Sequence, residues 1–387
     1  MLSKQATDPK PEAGWLARSL QNAASAAQQG TLIALLLRFL RQVTAFLTVA
    51  YLAALLVVCV GMRFVGEQNI TTAFSLYLPQ VTWLLPLLFL LPLSLLFHRL
   101  CFIVNATALV LAVWLWMGYQ WRSAGAQDAP KGGPPVLSLL TNNRGQHMNQ
   151  SLLPFKNAMR PDLLLLQEAS GRAAGFLASP DYVEFTHGQS VGEHTLLSRH
   201  PVLEARLLDA HPAGNQARAA RFVIDWQGTK VSVYSVHLMT PRQVLASYRR
   251  GAFLFGVLGL PGTPWVGKRL AYQEFWDRQM ADARHLLEAV QSDANPVLVA
   301  GDFNAPHAGH LHRMVTAVLQ DAHAEAGSGF GFSFPGTTSS PLSLGGPWLR
   351  IDYVFHGSQW RTLECVTEPD RPSQHRAVFA RMALMRN

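Results

Sequence analysis

The sequence predicts an α/β domain preceded by three membrane-crossing helices. Three observations point there. Long uncharged apolar runs are confined to the first third of the chain. From Val136 onward, short strand-like apolar runs alternate with helical stretches. Those strand-like runs end, one after another, on Asn, Glu, Asp or His.

The apolar runs are residues 43–62 (VTAFLTVAYLAALLVVCVGM), 76–97 (LYLPQVTWLLPLLFLLPLSLLF) and 100–121 (LCFIVNATALVLAVWLWMGYQW). Each reaches the roughly 20 residues that a hydrocarbon core requires. The third ends in Trp114, Trp116, Tyr119 and Trp121, the composition of an interfacial aromatic belt. Pro79, Pro86 and Pro92 in the second predict kinks, which a membrane helix tolerates better than a soluble one. A cleaved signal peptide fits poorly, because the first run begins late and is long.

Cationic residues near the spans set orientation. Arg38, Arg41 and Arg99, with Lys4, Lys10 and Arg18 in the tail, outweigh Arg63, Arg122 and Lys131. The reading is an integral protein of bacterial inner-membrane type. Its tail, residues 1–42, is cytoplasmic; spans occupy 43–121, a linker 122–135, and an extracytoplasmic domain 136–387. The linker, RSAGAQDAPKGGPP, is rich in Gly, Pro and Ala and lacks periodicity.

Only 14% of the 387 residues are charged, against about 25% in ordinary soluble proteins. The formal net charge of +8 suits phosphate-bearing partners, either nucleic acid or anionic lipid headgroups. Cys59 and Cys101 lie in apolar runs, so Cys365 stands alone in the domain and a disulfide framework there is excluded.

Within the domain, strands are expected at 136–141, 162–167, 221–226, 230–238, 296–301 and 350–356, and a helix at 271–291. Mixed strands and helices in one stretch argue for a single α/β domain. The stretch PVLVAGDFNAPH poses the central question. Val297–Ala300 is apolar, yet Asp302 and Asn304 follow, pointing to one side of an extended chain with Phe303 on the other. The pattern recurs. Asn142 ends VLSLLTNN, Glu168 follows four leucines, His237 closes VYSVH, Asp352 sits in RIDYVF and His375 precedes AVF. Burying such groups singly is costly unless they are paired or bind a metal. Gathering them at one end of the sheets makes a site.

Asn142, QE at 167–168, SRHPV at 198–202, VHL at 236–238, GDFN at 301–304, RIDYVF at 350–355 and S-x-H at 373–375 occur in an order that resembles the endonuclease/exonuclease/phosphatase superfamily. These are DNase-I-like, metal-dependent phosphoesterases, and the resemblance covers residues 136–387. It implies a four-layer sandwich of two central sheets flanked by helices, with the site at one sheet edge. It further implies a Mg²⁺- or Mn²⁺-dependent hydrolase of nucleic acid or a lipid headgroup. Glu168 would ligate the cation with Asn142 beside it. Asp302 would orient and deprotonate the attacking water, helped by Asn304. His237 and His375 would contact phosphoryl oxygens, and Asp352 would hold the ring of His375.

Plain alternatives stand beside these roles. Asn142 could be a turn residue, with Asn143 as the equivalent. Glu168 could cap the following helix, and His237 could be a core histidine. Ser198 and Arg199 read as structural turn residues. The sequence also departs from the family pattern, which has Ser-Asp-His where this chain has Ser373-Gln374-His375. Gln374 removes a negative charge beside the metal and weakens cation binding, which leaves a non-catalytic phosphate-binding module as the alternative function. Residues 249–269 are apolar in the middle, flanked by Arg249, Arg250, Lys268 and Arg269. They suit a loop that dips into anionic membrane or packs on the protein itself.

Overall fold

A computed structural model describes residues 12–122, 134–145, 151–210, 216–248, 250–336, 345–369, 371 and 373–385. Lys4, Lys10, Lys131, Arg249 and most of the expected linker lie outside the described residues. The chain forms two compact units. One is the chain up to Leu55 with Trp83–Val110; the other is Leu56–Thr82 with Leu111–Asn387.

In the N-terminal region, α1 (Glu12–Val60) runs far beyond the expected 43–62. Its upstream residues are mostly Ala, Gln and Leu, strong helix formers. α2 (Ile70–Leu76) follows. The second expected span is broken by its prolines into a 3₁₀ turn at Gln80–Leu84 and α3 (Leu87–Phe97). Next comes α4 (Arg99–Leu111), continued by a π turn at Ala112–Trp116. Three helical stretches, Gly30–Gln68, Gln80–Phe97 and Arg99–Trp116, are long and apolar enough to cross a membrane. In the first unit, buried Asn105 donates to Thr48 Oγ1 (3.2 Å) and Ser94 Oγ (3.4 Å), linking α1, α3 and α4. Small polar residues of this kind hold apolar helices together where hydrophobic burial cannot.

The second unit contains two six-stranded sheets. In chain order the strands are β1 (Val136–Asn143), β2 (Leu163–Gln167), β3 (His187–Val191), β4 (His194–Ser198), β5 (Val202–Leu207), β6 (Ala219–Trp226), β7 (Thr229–His237), β8 (Val297–Asp302), β9 (Gln320–Asp321), β10 (Asp352–His356), β11 (Trp360–Thr367) and β12 (Val378–Leu384). One sheet runs β11-β12-β1-β2-β4-β3 and the other β5-β6-β7-β8-β10-β9. β1 with β2 and β7 with β8 are parallel pairs; the remaining pairings are antiparallel.

Between the strands lie α5 (Leu153–Met159), α6 (Ala173–Leu177), α7 (Arg242–Tyr248), α8 (Phe255–Leu258), α9 (Val266–Gln291), α10 (His310–Thr316) and α11 (Ala322–Ala326). Alternation explains the layering. Leu137, Leu139, Leu163 and Leu165 of one sheet meet Phe222, Ile224, Val233 and Leu298 of the other in a shared core. The opposite face of the second sheet, including Tyr234, Val299 and Phe355, packs on Met280, Ala283 and Leu287 of α9. The outer face of the first, including Leu140, Leu164 and Leu197, packs near Phe155 of α5 and Ala173 of α6. The result is helix, sheet, sheet, helix, with both inner strand sets nearly continuous apolar runs.

Candidate active site

Strand register builds the site. In the β7–β8 pair His237 lies opposite Asp302, and in the β8–β10 pair Asp302 lies opposite Asp352. Three adjacent strands thus present His237, Asp302 and Asp352 in one row. His375 reaches the row from the turn before β12, placing Nε2 3.8 Å from Asp302 Oδ2. On the other side, His237 Nε2 is also 3.8 Å from Asp302 Oδ2. Each imidazole is backed by a carboxylate. His375 Nδ1 lies 2.9 Å from Asp352 Oδ2, and His237 Nδ1 lies 3.1 Å from Glu193 Oε1.

Asp302 is 1% exposed and accepts three hydrogen bonds. Asn143 Nδ2 (3.0 Å) and Asn304 Nδ2 (3.1 Å) donate to Oδ2, and the Asn304 backbone N–H donates to Oδ1 (2.8 Å). Phe303 points away and packs on Tyr353 and Phe355, as alternation requires. Asn304 does not continue the strand. It turns into the left-handed region (φ +48°), which lets its side chain fold back on Asp302 while also donating to Leu238 O (2.9 Å). This conformation is uncommon outside Gly, though Asn tolerates it best.

Among the candidates from sequence, Asp302, Asn304, His237, Asp352 and His375 are brought together. Asn142 is not. The asparagine against Asp302 is Asn143, which also approaches His237 Nε2 (3.4 Å). Adjacent strand residues face opposite sides, so Asn142 points elsewhere and accepts from Arg371 Nη2 at 3.4 Å. Arg371 is ion-paired with Glu368 (2.8 Å) and also donates to the carbonyl of His375. Glu168 follows β2 in a left-handed conformation (φ +53°). Gln374 lies beside the site with its Oε1 against Gly145, in the turn that follows Asn143. Ser198 Oγ donates to His200 O within its own turn, and Arg199 Nε donates to Pro161 O, tying that turn to the segment before β2.

Sequence reasoning missed Glu193 and Arg371. Glu193 sits in the exposed turn between β3 and β4, where a carboxylate is unremarkable until the fold places it beside His237. Arg371 and Glu368 lie before the S-x-H triplet, and only their joint burial marks them.

The electrostatics follow from burial and the neighbouring charges. Burial alone would lower the His375 pKa, but Asp352 and Asp302 outweigh it and hold the imidazole at about 9. His237 is likewise raised against burial, by Glu193 and Asp302. Burial pushes the Asp302 carboxyl above its usual range despite the nearby His375.

A divalent cation has two possible seats. Ligand-type atoms of Asp302, Asp352 and His375 lie within 4.8 Å of one another. Both carboxylates of that group already have donors: Asp352 accepts from His375 Nδ1, and Asp302 accepts from both asparagine amides. Glu168 Oε2, in contrast, is buried with no hydrogen-bond partner among the described residues. A buried carboxylate oxygen without a donor is costly unless a cation meets it. Its chemistry suits a hard ion with oxygen ligands, so Glu168 is the better fit.

A two-sheet α/β sandwich with buried carboxylate–histidine pairs at its strand ends defines a class of hydrolases acting on phosphoester bonds. A family model described as the Endonuclease/Exonuclease/phosphatase family matches residues 112–375, more than half the chain, and the chain belongs to that family. Among solved structures it is similar to D. rerio TDP2 complexed with single-strand DNA product, at 14% identity over 64% of this chain and 98% of that chain (TM-score 0.46). It is also similar to an endonuclease/exonuclease/phosphatase from Beutenbergia cavernae DSM 12333, at 18% identity over 65% and 72% (TM-score 0.44). The human Nocturnin catalytic domain with bound sulfate is similar at 13% identity over 65% and 96% (TM-score 0.44). No curated protein sequence matches the chain.

Proposed function

We propose that the chain hydrolyses phosphodiesters through a water that Asp302 orients and deprotonates. The observation that carries this reading is the setting of Asp302, a buried carboxylate between two imidazoles that each have their own carboxylate. A raised pKa makes Asp302 a stronger base near neutrality. His375, protonated at neutral pH, offers positive charge to a phosphoryl oxygen, and His237 offers a second donor. Asn143 and Asn304 fix the carboxylate so that little reorganisation is needed when it takes the proton of the attacking water. Mg²⁺ or Mn²⁺, held by Glu168 with Asn143 at the end of β1 nearby, would supply further positive charge to the phosphoryl group when bound.

The substrate is nucleic acid or a lipid headgroup, and the enzyme is anchored in a membrane with its tail cytoplasmic and the site outside. The net charge of +8 favours nucleic acid. Leu254, Val257, Leu258, Leu260, Trp265 and Leu270 favour lipid, since all are exposed beside Arg250, Lys268 and Arg269. With Gln374 in place of a carboxylate, the alternative is a phosphate-binding module without turnover.

Plasmid DNA and mixed phospholipid vesicles, each with Mg²⁺, Mn²⁺ or chelator, separate these readings when offered to the full chain in detergent. DNA cleavage that declines steeply as salt rises identifies a nuclease. Vesicle hydrolysis identifies a headgroup phosphodiesterase. Phosphate binding with no turnover of either overturns the enzymatic reading.

A further inference from the structure

The backbone of Asn304 is held from outside its own strand. Its carbonyl accepts from Tyr77 Oη at 2.6 Å and from Gln279 Nε2 at 3.4 Å. Tyr77 belongs to residues 61–78, the segment that joins the first two apolar helices in sequence and folds within the second unit.

That segment grips the turn after Asp302 at several points. Glu67 is completely buried, and its Oε2 accepts from Leu311 N–H (3.0 Å) in the first turn of α10. Gln273 donates to the carbonyl of Glu67 (2.9 Å), Arg63 to that of His307 (3.3 Å), and Gln68 meets His310 at 2.7 Å. Gly66 has φ +47°, and a Cβ there would lie 2.5 Å from the backbone N of His310. A Cβ on Gly309 would lie 2.4 Å from Glu67 Oε1. Such closeness leaves no room for sliding. α2 then packs Ile70 and Ala73 against Tyr248, Ala252 and Trp276, and the Tyr77 ring lies 5.6 Å from that of Trp276. The hydroxyl is therefore aimed by a packed ring at the carbonyl of Asn304, the residue whose left-handed turn folds its side chain back on Asp302.

We propose that Tyr77 is a positioning residue for Asn304, and through it for Asp302, so that the segment between the first two apolar helices is a working part of the site. The inference rests on Asp302 acting as the base proposed above. A tilt at Asn304 would move both its side-chain amide and its backbone N–H, two of the three donors that fix the Asp302 carboxylate.

The test uses the full chain in detergent with bis(p-nitrophenyl) phosphate and Mg²⁺. Tyr77→Phe keeps the ring and removes the hydroxyl. It is expected to lower kcat about tenfold with KM and melting midpoint nearly unchanged, within the ~10²-fold that a 1 Å misplacement can cost. Backbone amide exchange in residues 303–305 should quicken. Thr71→Val removes another hydrogen bond of the same segment, from Thr71 Oγ1 to Phe253 O (2.6 Å), distant in sequence from Asn304. It is expected to leave kcat and that exchange unaltered. The proposal is overturned if Tyr77→Phe retains wild-type kcat, or if Thr71→Val loses as much. If the wild-type chain turns over nothing, the hydrolase reading fails separately, and exchange alone decides: quickened in Tyr77→Phe supports the positioning contact, unchanged overturns it.

Discussion

Nδ1 of His375 lies 2.9 Å from Oδ2 of Asp352, and both side chains are buried. Burial by itself would lower the imidazole pKa, but the two neighbouring carboxylates hold it at about 9. A pKa raised above the ordinary 6.5 means the bound proton stabilises the fold fully below that value, and the contribution is lost as pH rises through about 9. Activity that uses the imidazolium fails over the same upper range. Asp352→Asn removes the foremost of the opposing charges, so the alkaline limb of the kcat–pH profile should move toward neutrality. An alkaline limb left in place would contradict the pairing.

Asp293 predicts the acid limit of stability. Burial alone would raise its pKa, but Arg221 (2.7 Å) and Tyr234 (2.7 Å) outweigh it and hold the carboxyl at about 2, below its ordinary 3.8. A depressed carboxyl contributes stability above the ordinary value and loses it as pH falls from about 4 to about 2. Melting midpoints recorded across that window should drop less in Asp293→Asn than in wild type. Parallel curves would place the acid sensitivity elsewhere.

Phe303 links the core to the site. It is 1% exposed, packed on Tyr353 and Phe355, and sits between Asp302 and Asn304. Phe303→Ala should cost ~3–5 kcal/mol of stability. Turnover of the surviving folded fraction should also fall, because the cavity frees both flanking polar residues. Denaturant unfolding together with specific activity distinguishes this from a purely structural loss, in which specific activity would hold.

Two substitutions address the cation. Glu168→Gln should abolish metal-stimulated turnover and weaken Mn²⁺ binding, since the orphaned Oε2 loses its charge. Gln374→Asp restores a carboxylate beside the site and should tighten the cation. Calorimetric titration with Mn²⁺ reads both, and an affinity indifferent to either change would move the cation to the Asp302, Asp352 and His375 group.

Much of this arrangement is legible in the sequence, for reasons that particular residues make clear. β1, β2, β7, β8 and β10 are largely buried and read as apolar runs with polar ends, and β6 reads as an apolar run. β3 and β5 are partly exposed edge strands, HGQSV and VLEARL, whose composition hides them. Register is the harder quantity. With asparagine at both 142 and 143, only the pairing of β1 decides which one meets Asp302. The extent of the site's support is harder still. Glu67 and Leu311 are 244 residues apart in sequence, and Tyr77 and Asn304 are 227 apart. Periodicity cannot join contacts at that separation, so a segment that reads as a mere connector becomes part of the site only in the fold.

The central claim is that Asp302 is the base of a cation-dependent phosphodiester hydrolase. The most direct measurement is hydrolysis of bis(p-nitrophenyl) phosphate by the full chain, wild type against Asp302→Asn, with Mg²⁺ or Mn²⁺ and with chelator. Cation-dependent turnover is expected in wild type, with a loss of at least about 10²-fold in the variant, the scale of a positioned general base. Turnover that survives Asp302→Asn undiminished would contradict it.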